Sequence, residues 1–191
     1  MKVLVIGNGG REHAIAWKID QSEKVTELYC APGNAGTASF AKNIAIAADD
    51  VEALCSWANQ NAIDLTVVGP EAPLAKGVVN LFEAKGLRIF GPTKEAAQLE
   101  ASKSFAKKVM ESAKVPTAGA GVFEDYDTAK EYLLKRGAPI VVKADGLAAG
   151  KGVTVAMNME DATSALDECM KSQRFGESGA CLLYTSDAAD E

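Results

Sequence analysis

Lys2-Val3-Leu4-Val5-Ile6-Gly7-Asn8-Gly9-Gly10-Arg11-Glu12-His13 opens the chain with an aliphatic, largely β-branched run that a glycine stops. Residues 11–21 follow with Ile15, Trp17 and Ile19 and no further glycine, so the stretch predicts strand, glycine turn and helix. The same alternation continues outward. Strands are expected over residues 25–30, 43–47, 63–68 and 88–90, with helices over residues 74–85 and from a cap at Asp49 or Asp50 through Leu54, Trp57 and Ala58. Strands alternating with helices imply a parallel sheet with ligands beyond the carboxyl ends of its strands, which Gly7, Pro32 and Gly69 mark.

Residues 94–114 lack glycine and are rich in helix-forming Ala, Glu and Lys, so one or two helices lead away from that sheet. After Pro116 the pattern changes to strand (118–123), helix (127–136, ended by Gly137), strand (140–144), strand (153–157) and helix (159–171). A turn-rich stretch, residues 176–179, then leads to another strand. The expected fold is α/β: a parallel-sheet domain over residues 1–93, a helical linker over 94–115, and a smaller α+β domain over 116–180. Residues 181–191 read CLLYTSDAADE.

Composition narrows the function. With 48% hydrophobic and 24% charged residues among 191, the chain has the make-up of a globular protein. A net charge of −6 argues against a broad nucleic-acid surface, which needs clustered Lys and Arg. No apolar run is long enough for a membrane span or signal peptide, so a cytoplasmic protein is expected. Cys30, Cys55, Cys169 and Cys181 form no CxxC pair and read as reduced thiols. His13 is the single histidine, which disfavours Ser-His-Asp chemistry and multi-histidine metal sites.

Four loops are candidates for chemistry. Gly7 to His13 can present amides to a phosphate at a helix start, with Arg11 as a guanidinium fork, or be only a tight turn. As a dinucleotide fingerprint it fails, because Glu12 stands where glycine or alanine belongs and Ala31-Pro32 replaces the acidic end of the second strand. Ala31-Pro32-Gly33-Asn34-Ala35-Gly36-Thr37 and Gly69-Pro70-Glu71-Ala72-Pro73 fall on the same sheet edge. Glu71 is either an acceptor for sugar hydroxyls or an amine, or a carboxylate set on a helix dipole.

The fourth loop lies within Ile140-Val141-Val142-Lys143-Ala144-Asp145-Gly146-Leu147-Ala148-Ala149-Gly150-Lys151-Gly152-Val153. A strand delivers a lysine, a loop with three glycines and a second lysine follows, and another strand returns; such a loop can fold over a triphosphate. It lacks the order of a Walker loop. Ala101-Ser102-Lys103-Ser104-Phe105-Ala106-Lys107 is less specific, since Lys103, Lys107 and Lys108 commonly make an exposed helix face.

Together VLVIGNGGREHAIAWK, APGNAGT, VVGPEAPLAKG, SKSFAK and VVKADGLAAGKGV resemble, in order and spacing over residues 1–180, the phosphoribosylamine–glycine ligase family. The resemblance implies an ATP-grasp fold behind a Rossmann-like domain. It implies an enzyme that joins glycine to 5-phosphoribosylamine with ATP and Mg2+ or Mn2+ in purine biosynthesis. By resemblance, Lys103, Lys143, Asp145, Gly146, Gly150, Lys151 and Gly152 belong to the ATP site. Gly9, Gly10, Arg11, Gly33, Asn34, Gly36, Thr37 and Glu71 belong to the phosphoribosylamine side. The family's metal-binding residues would follow after residue 180, and residues 181–191 depart from its continuation, so the chain is expected to act as an inactive fragment without metal ligands. A non-catalytic nucleotide-binding module and an NAD-dependent oxidoreductase are the competing readings.

Overall fold

The structure is a computed structural model that describes residues 1–146, 152–171 and 181–185. It divides into two compact units, Met1–Gln98 and Leu99–Glu191. The sequence set the linker at residues 94–115; the division falls after Gln98, inside a helix, Lys94–Ala101.

In the first unit the elements are β1 (Lys2–Gly7), α1 (Gly10–Asp20), β2 (Glu27–Pro32), β3 (Lys42–Asn43), α2 (Val51–Gln60), β4 (Leu65–Val68), α3 (Glu71–Ala75), α4 (Val78–Ala84) and β5 (Ile89–Phe90). Every strand pairs in parallel, in the order β3-β2-β1-β4-β5. Val3, Leu4, Val5 and Ile6 are all buried, as a central parallel strand covered on both faces requires. Alternation sends Leu4 and Ile6 toward Leu54, Val78 and Phe82, while Val3 and Val5 pack with Ala16, Leu28 and Cys30. The strand order reverses at β1, so the ends of β1, β2 and β4 border one crevice.

Three local expectations change. The helix expected over residues 74–85 is two helices, because Gly77 adopts φ +87° and turns the chain between α3 and α4. The strand expected over 43–47 shortens to Lys42–Asn43. Beyond it Ile44 N still donates to Cys30 O (2.8 Å), but Ile46 N turns back to Ile44 O (2.8 Å). In α1, Glu12 and Ala16 are the buried residues and Trp17 is exposed, so the buried stripe is set at the spacing i, i+4.

The second unit contains α6 (Lys103–Ser112), β6 (Ala120–Phe123), α7 (Tyr126–Arg136), β7 (Ile140–Ala144), β8 (Val153–Ala156), α8 (Met159–Met170) and β9 (Cys181–Thr185), with the Lys94–Ala101 helix, α5, leading in. Ser102, Asp125 and Asn158 cap α6, α7 and α8 through their side chains, and Gly137 at φ +77° ends α7. The sheet is antiparallel, in the order β6-β9-β7-β8. Ala129 and Leu133 of α7 and Ala162, Leu166 and Cys169 of α8 pack on Ile140, Val142, Ala144, Ala156 and Leu183, so the helices cover one face.

Part of the tail that the sequence reading set apart is inside this sheet. Cys181–Thr185 forms β9 between β6 and β7, with Cys181 and Leu183 fully buried, because its alternation matches the helix-covered face. None of the four cysteines is in a disulfide and all are buried, two in each unit.

Candidate functional site

At the carboxyl end of β1 the geometry centres on Glu12, which the sequence reading used only to argue against a dinucleotide site. It is 5% exposed, and its Oε2 accepts the Gly9 N–H at 2.8 Å. This is the reciprocal half of a capping box, three residues into α1. A side chain at Gly7, Gly9 or Gly69 would collide with the Glu12 chain. Those glycines, from the ends of β1 and β4, make room for one buried carboxylate.

The Gly9 amide, expected to face a phosphate, is therefore used by Glu12; the sequence-level clue was the glutamate three residues after a glycine N-cap. Gly10 and Arg11 begin the first helical turn, where N–H groups have no acceptor within the helix. Arg11 donates through Nε to Glu12 Oε1 (2.9 Å) and through Nη1 to Glu71 Oε1 (2.9 Å). Glu71 first, then Glu12, hold the Arg11 guanidinium more firmly protonated than usual. Glu71 is correspondingly held below the ordinary carboxylate range by Arg11 and its own backbone. Two residues expected separately on the substrate side thus form one bridge.

The β2 loop is organised by Asn34. Its Oδ1 accepts the amides of Gly36 (2.8 Å) and Thr37 (3.0 Å), and its Nδ2 donates to Asn8 O (2.9 Å) in the first loop. Gly33, at φ +70°, donates its N–H to Gly7 O (3.1 Å). Thr37, fully buried, donates to Asn43 Oδ1 (2.8 Å), a partner at the end of β3 that the sequence did not single out. His13 packs on this loop: a side chain at Gly36 would collide with its imidazole, and its ring lies 5.6 Å from that of Phe40. Gly9, Gly10, Arg11, Gly33, Asn34, Gly36, Thr37 and Glu71 all gather on this edge of the first unit.

In the second unit, Lys103, Asp145 and Gly146 converge. Asp145 is 7% exposed. Its Oδ1 accepts from the amides of Lys103 (2.7 Å), Gly146 (2.9 Å) and Ser104 (3.3 Å), and its Oδ2 from the hydroxyls of Ser104 (2.6 Å) and Ser102 (3.2 Å). Burial pushes this carboxyl up, but the bonds from Ser104, Gly146 and Lys103 outweigh it and hold the group below its ordinary value. In return Lys103 Nζ donates to Ala144 O (3.0 Å) and Gly146 O (2.9 Å).

Lys143 reaches Tyr184, its Nζ 4.4 Å from the ring centroid. Lys107, expected on an exposed helix face, is 3% exposed. Its Nζ donates to Thr117 Oγ1 (3.1 Å) and Ala118 O, so the buried donors find acceptors within the unit. Gly146 and Gly152 adopt φ +95° and +81°, and Ala144 N donates to Gly152 O (2.9 Å), closing the feet of the loop. Gly150 and Lys151 lie outside the described residues.

A divalent cation does not fit the described residues: they hold no group of three or more His, Cys, Asp or Glu suited to a metal, and both Asp145 oxygens are already filled by donors. Nor is any described helix long and apolar enough to cross a membrane.

A glycine-looped parallel unit followed along the chain by a helix-backed antiparallel sheet with lysines at the base of its loop defines an ATP-grasp protein with a Rossmann-like leading domain. Residues 1–100 match the family description "Phosphoribosylglycinamide synthetase, N domain" and residues 101–185 match "Phosphoribosylglycinamide synthetase, ATP-grasp (A) domain". The chain belongs to the phosphoribosylglycinamide synthetase family. It is 57% identical over 185 residues to phosphoribosylamine–glycine ligase of Xanthomonas campestris, covering 96% of this chain and 43% of that one. The crystal structure of phosphoribosylamine–glycine ligase from Thermotoga maritima superposes with a TM-score of 0.78 at 31% identity, over 98% of this chain and 44% of that one. The fold alone is shared with the Staphylococcus aureus N5-carboxyaminoimidazole synthetase complexed with ADP, with a TM-score of 0.71 at 18% identity over 97% of this chain and 47% of that one. The chain spans less than half the length of these relatives.

Proposed function

We propose that the chain supplies the phosphate-gripping part of an enzyme that joins glycine to 5-phosphoribosylamine, forming glycinamide ribonucleotide, ADP and phosphate in purine biosynthesis. One structural observation carries the ATP assignment: the ammonium of Lys103 is seated on the base of the glycine loop, within 3.0 Å of Ala144 O and Gly146 O. The ADP complex of the S. aureus neighbour supports a nucleotide on this fold. In this proposal Lys103 and Lys143 face the ATP phosphates, and the loop from Gly146 to Gly152, with Gly150 and Lys151, covers them, Asp145 standing at its foot. Residues 1–93 hold phosphoribosylamine, residues 94–115 link, and residues 116–180 form the small ATP-grasp subdomain.

ATP activates glycine's carboxylate as an acyl phosphate, which the amine of phosphoribosylamine attacks with release of phosphate. The protein then needs positioned charge more than a nucleophile of its own. At the first unit's edge the amides of Gly10 and Arg11 offer the phosphate donors, while Gly9 shapes the turn and the Gly33 to Thr37 loop walls the sugar beside Glu71. Mg2+ or Mn2+ accompanying ATP would take its protein ligands outside the described residues. The proposed setting is the cytoplasm, where four cysteines outside any disulfide remain thiols.

The test is direct titration of the 191-residue chain with ATP and, separately, with ribose 5-phosphate, followed by amide NMR. ATP should shift the amides around Lys143 and Gly146, and ribose 5-phosphate those of Gly10 and Arg11. Lys143→Met should weaken ATP binding at least about tenfold, while Lys108→Met leaves it unchanged. Equal effects of the two substitutions would reject the phosphate site.

A further inference from the structure

The sequence singles out Ser102-Lys103-Ser104 and Lys143-Ala144-Asp145-Gly146 as separate motifs; the structure joins them by a reciprocal exchange. The carboxylate of Asp145 takes the backbone N–H of Lys103, and the side chain of Lys103 takes the carbonyls on both sides of Asp145, Ala144 O and Gly146 O. Ser102 and Ser104 fill the second carboxylate oxygen, and the Gly146 amide adds to the first. Five donors on a carboxyl that is 7% exposed leave it no lone pair suited to a metal or a substrate amine.

We infer that Asp145 is a positioning residue, which touches neither nucleotide nor metal but pins the foot of the glycine loop to the first turn of α6 and so fixes where the Lys103 ammonium stands. The inference deepens the ATP assignment and depends on it for its link to function. Its physical basis is local. Lys103 is the first residue of α6, so the carboxylate also neutralises the positive end of that helix. The lysine charge is in turn spread over two loop carbonyls, and Ala144 N holds Gly152 O, so both feet of the loop are fixed before any ligand arrives. An ammonium fixed in this way has little side-chain freedom left to lose when it meets phosphates.

Two readouts on the full 191-residue chain test the clamp. In the absence of ligand, Asp145→Asn should speed amide exchange at Lys103, Ser104 and Gly146 by about tenfold or more, the order expected for losing bonds to a charged acceptor, while amides of α8 stay protected. With ligand, the same substitution should weaken ATP by about tenfold but AMP by less than about twofold, because only the phosphates beyond the first need the fixed Lys103 ammonium. Should Asp145→Asn fail to fold, Ser104→Ala keeps the carboxylate and every backbone donor, and should give the same ranking with a smaller effect, about threefold. Unchanged exchange at all three amides overturns the clamp. Equal losses for ATP and AMP overturn its positioning role. If the unsubstituted chain binds no ATP while the substitution still speeds exchange, the ATP assignment fails and the clamp survives as a folding device.

Discussion

Arg11 Nη1 donates to Glu71 Oε1 at 2.9 Å, tying the start of α1 to the first residue of α3 across the crevice at the end of the parallel sheet. The two side chains are 53% and 42% exposed, so water screens most of the attraction. A double-mutant cycle with Arg11→Met and Glu71→Gln should give a coupling below about 1 kcal/mol in urea unfolding, shrinking further at high salt. A coupling several times larger would show that the pair is shielded from solvent.

Gly69→Ala should destabilise the first unit by about 1–3 kcal/mol, because a methyl group there meets the Cγ, Oε1 and Cδ atoms of Glu12. Glu12→Ala should itself cost about 1 kcal/mol through the lost Gly9 cap. Combined, the two should cost less than their sum, because the second removes the obstacle to the first. Additive losses in urea unfolding would mean that Gly69 is required for some other reason.

How much of this was legible in advance depends on the range of the interaction. The alternation of strands and helices was readable because β1 is a continuous apolar run and the cap at Asp50, one of two adjacent candidates, is a local signal; the caps at Asp125 and Asn158 came only with the structure. The loops carrying Gly9, Asn34 and Glu71 were readable as one edge because glycine and proline punctuate strand ends. What the pattern did not disclose was why Gly7 and Gly69 are glycines, since their common neighbour, Glu12, comes from a helix and is brought to both only by the sheet. The burial of Lys107 was likewise hidden: nothing in a lysine-rich helix distinguishes the one whose ammonium meets Ala118 O. The same limit applies to β9, whose alternating pattern acquires a face only when β6 and β7 flank it.

Lys107→Met should lower the stability of the second unit by about 1–2 kcal/mol, since Ala118 O and Thr117 Oγ1 lose their donor. Lys108→Met, one residue on and exposed, should stay within about 0.5 kcal/mol of the parent chain. Thermal unfolding of both variants checks this; equal shifts would return Lys107 to the solvent-facing side of α6.

Stability should also respond to acid through Glu27. The Tyr29 hydroxyl, 2.6 Å away, and then the Lys42 ammonium, 3.0 Å away, lower its pKa from 4.5 to about 2. A carboxyl depressed by folding stabilises fully above its unfolded value, and that contribution fades as pH falls through the folded value. The parent chain should therefore exceed Glu27→Gln in urea midpoint by a constant margin above pH 4.5, and the margin should close toward pH 2. A margin unchanged across that window would dissociate Glu27 from its two partners.

The four buried thiols give the molecule a built-in clock. Cys30 and Cys55 lie inside the first unit and Cys169 and Cys181 inside the second, so an alkylating reagent reaches each pair only when its own unit opens. Mass spectrometry of the labelled peptides then times the breathing of the two units independently, in one sample and without any introduced probe. A polyphosphate that binds only the second unit would slow the labelling of Cys169 and leave the tempo of Cys30 untouched.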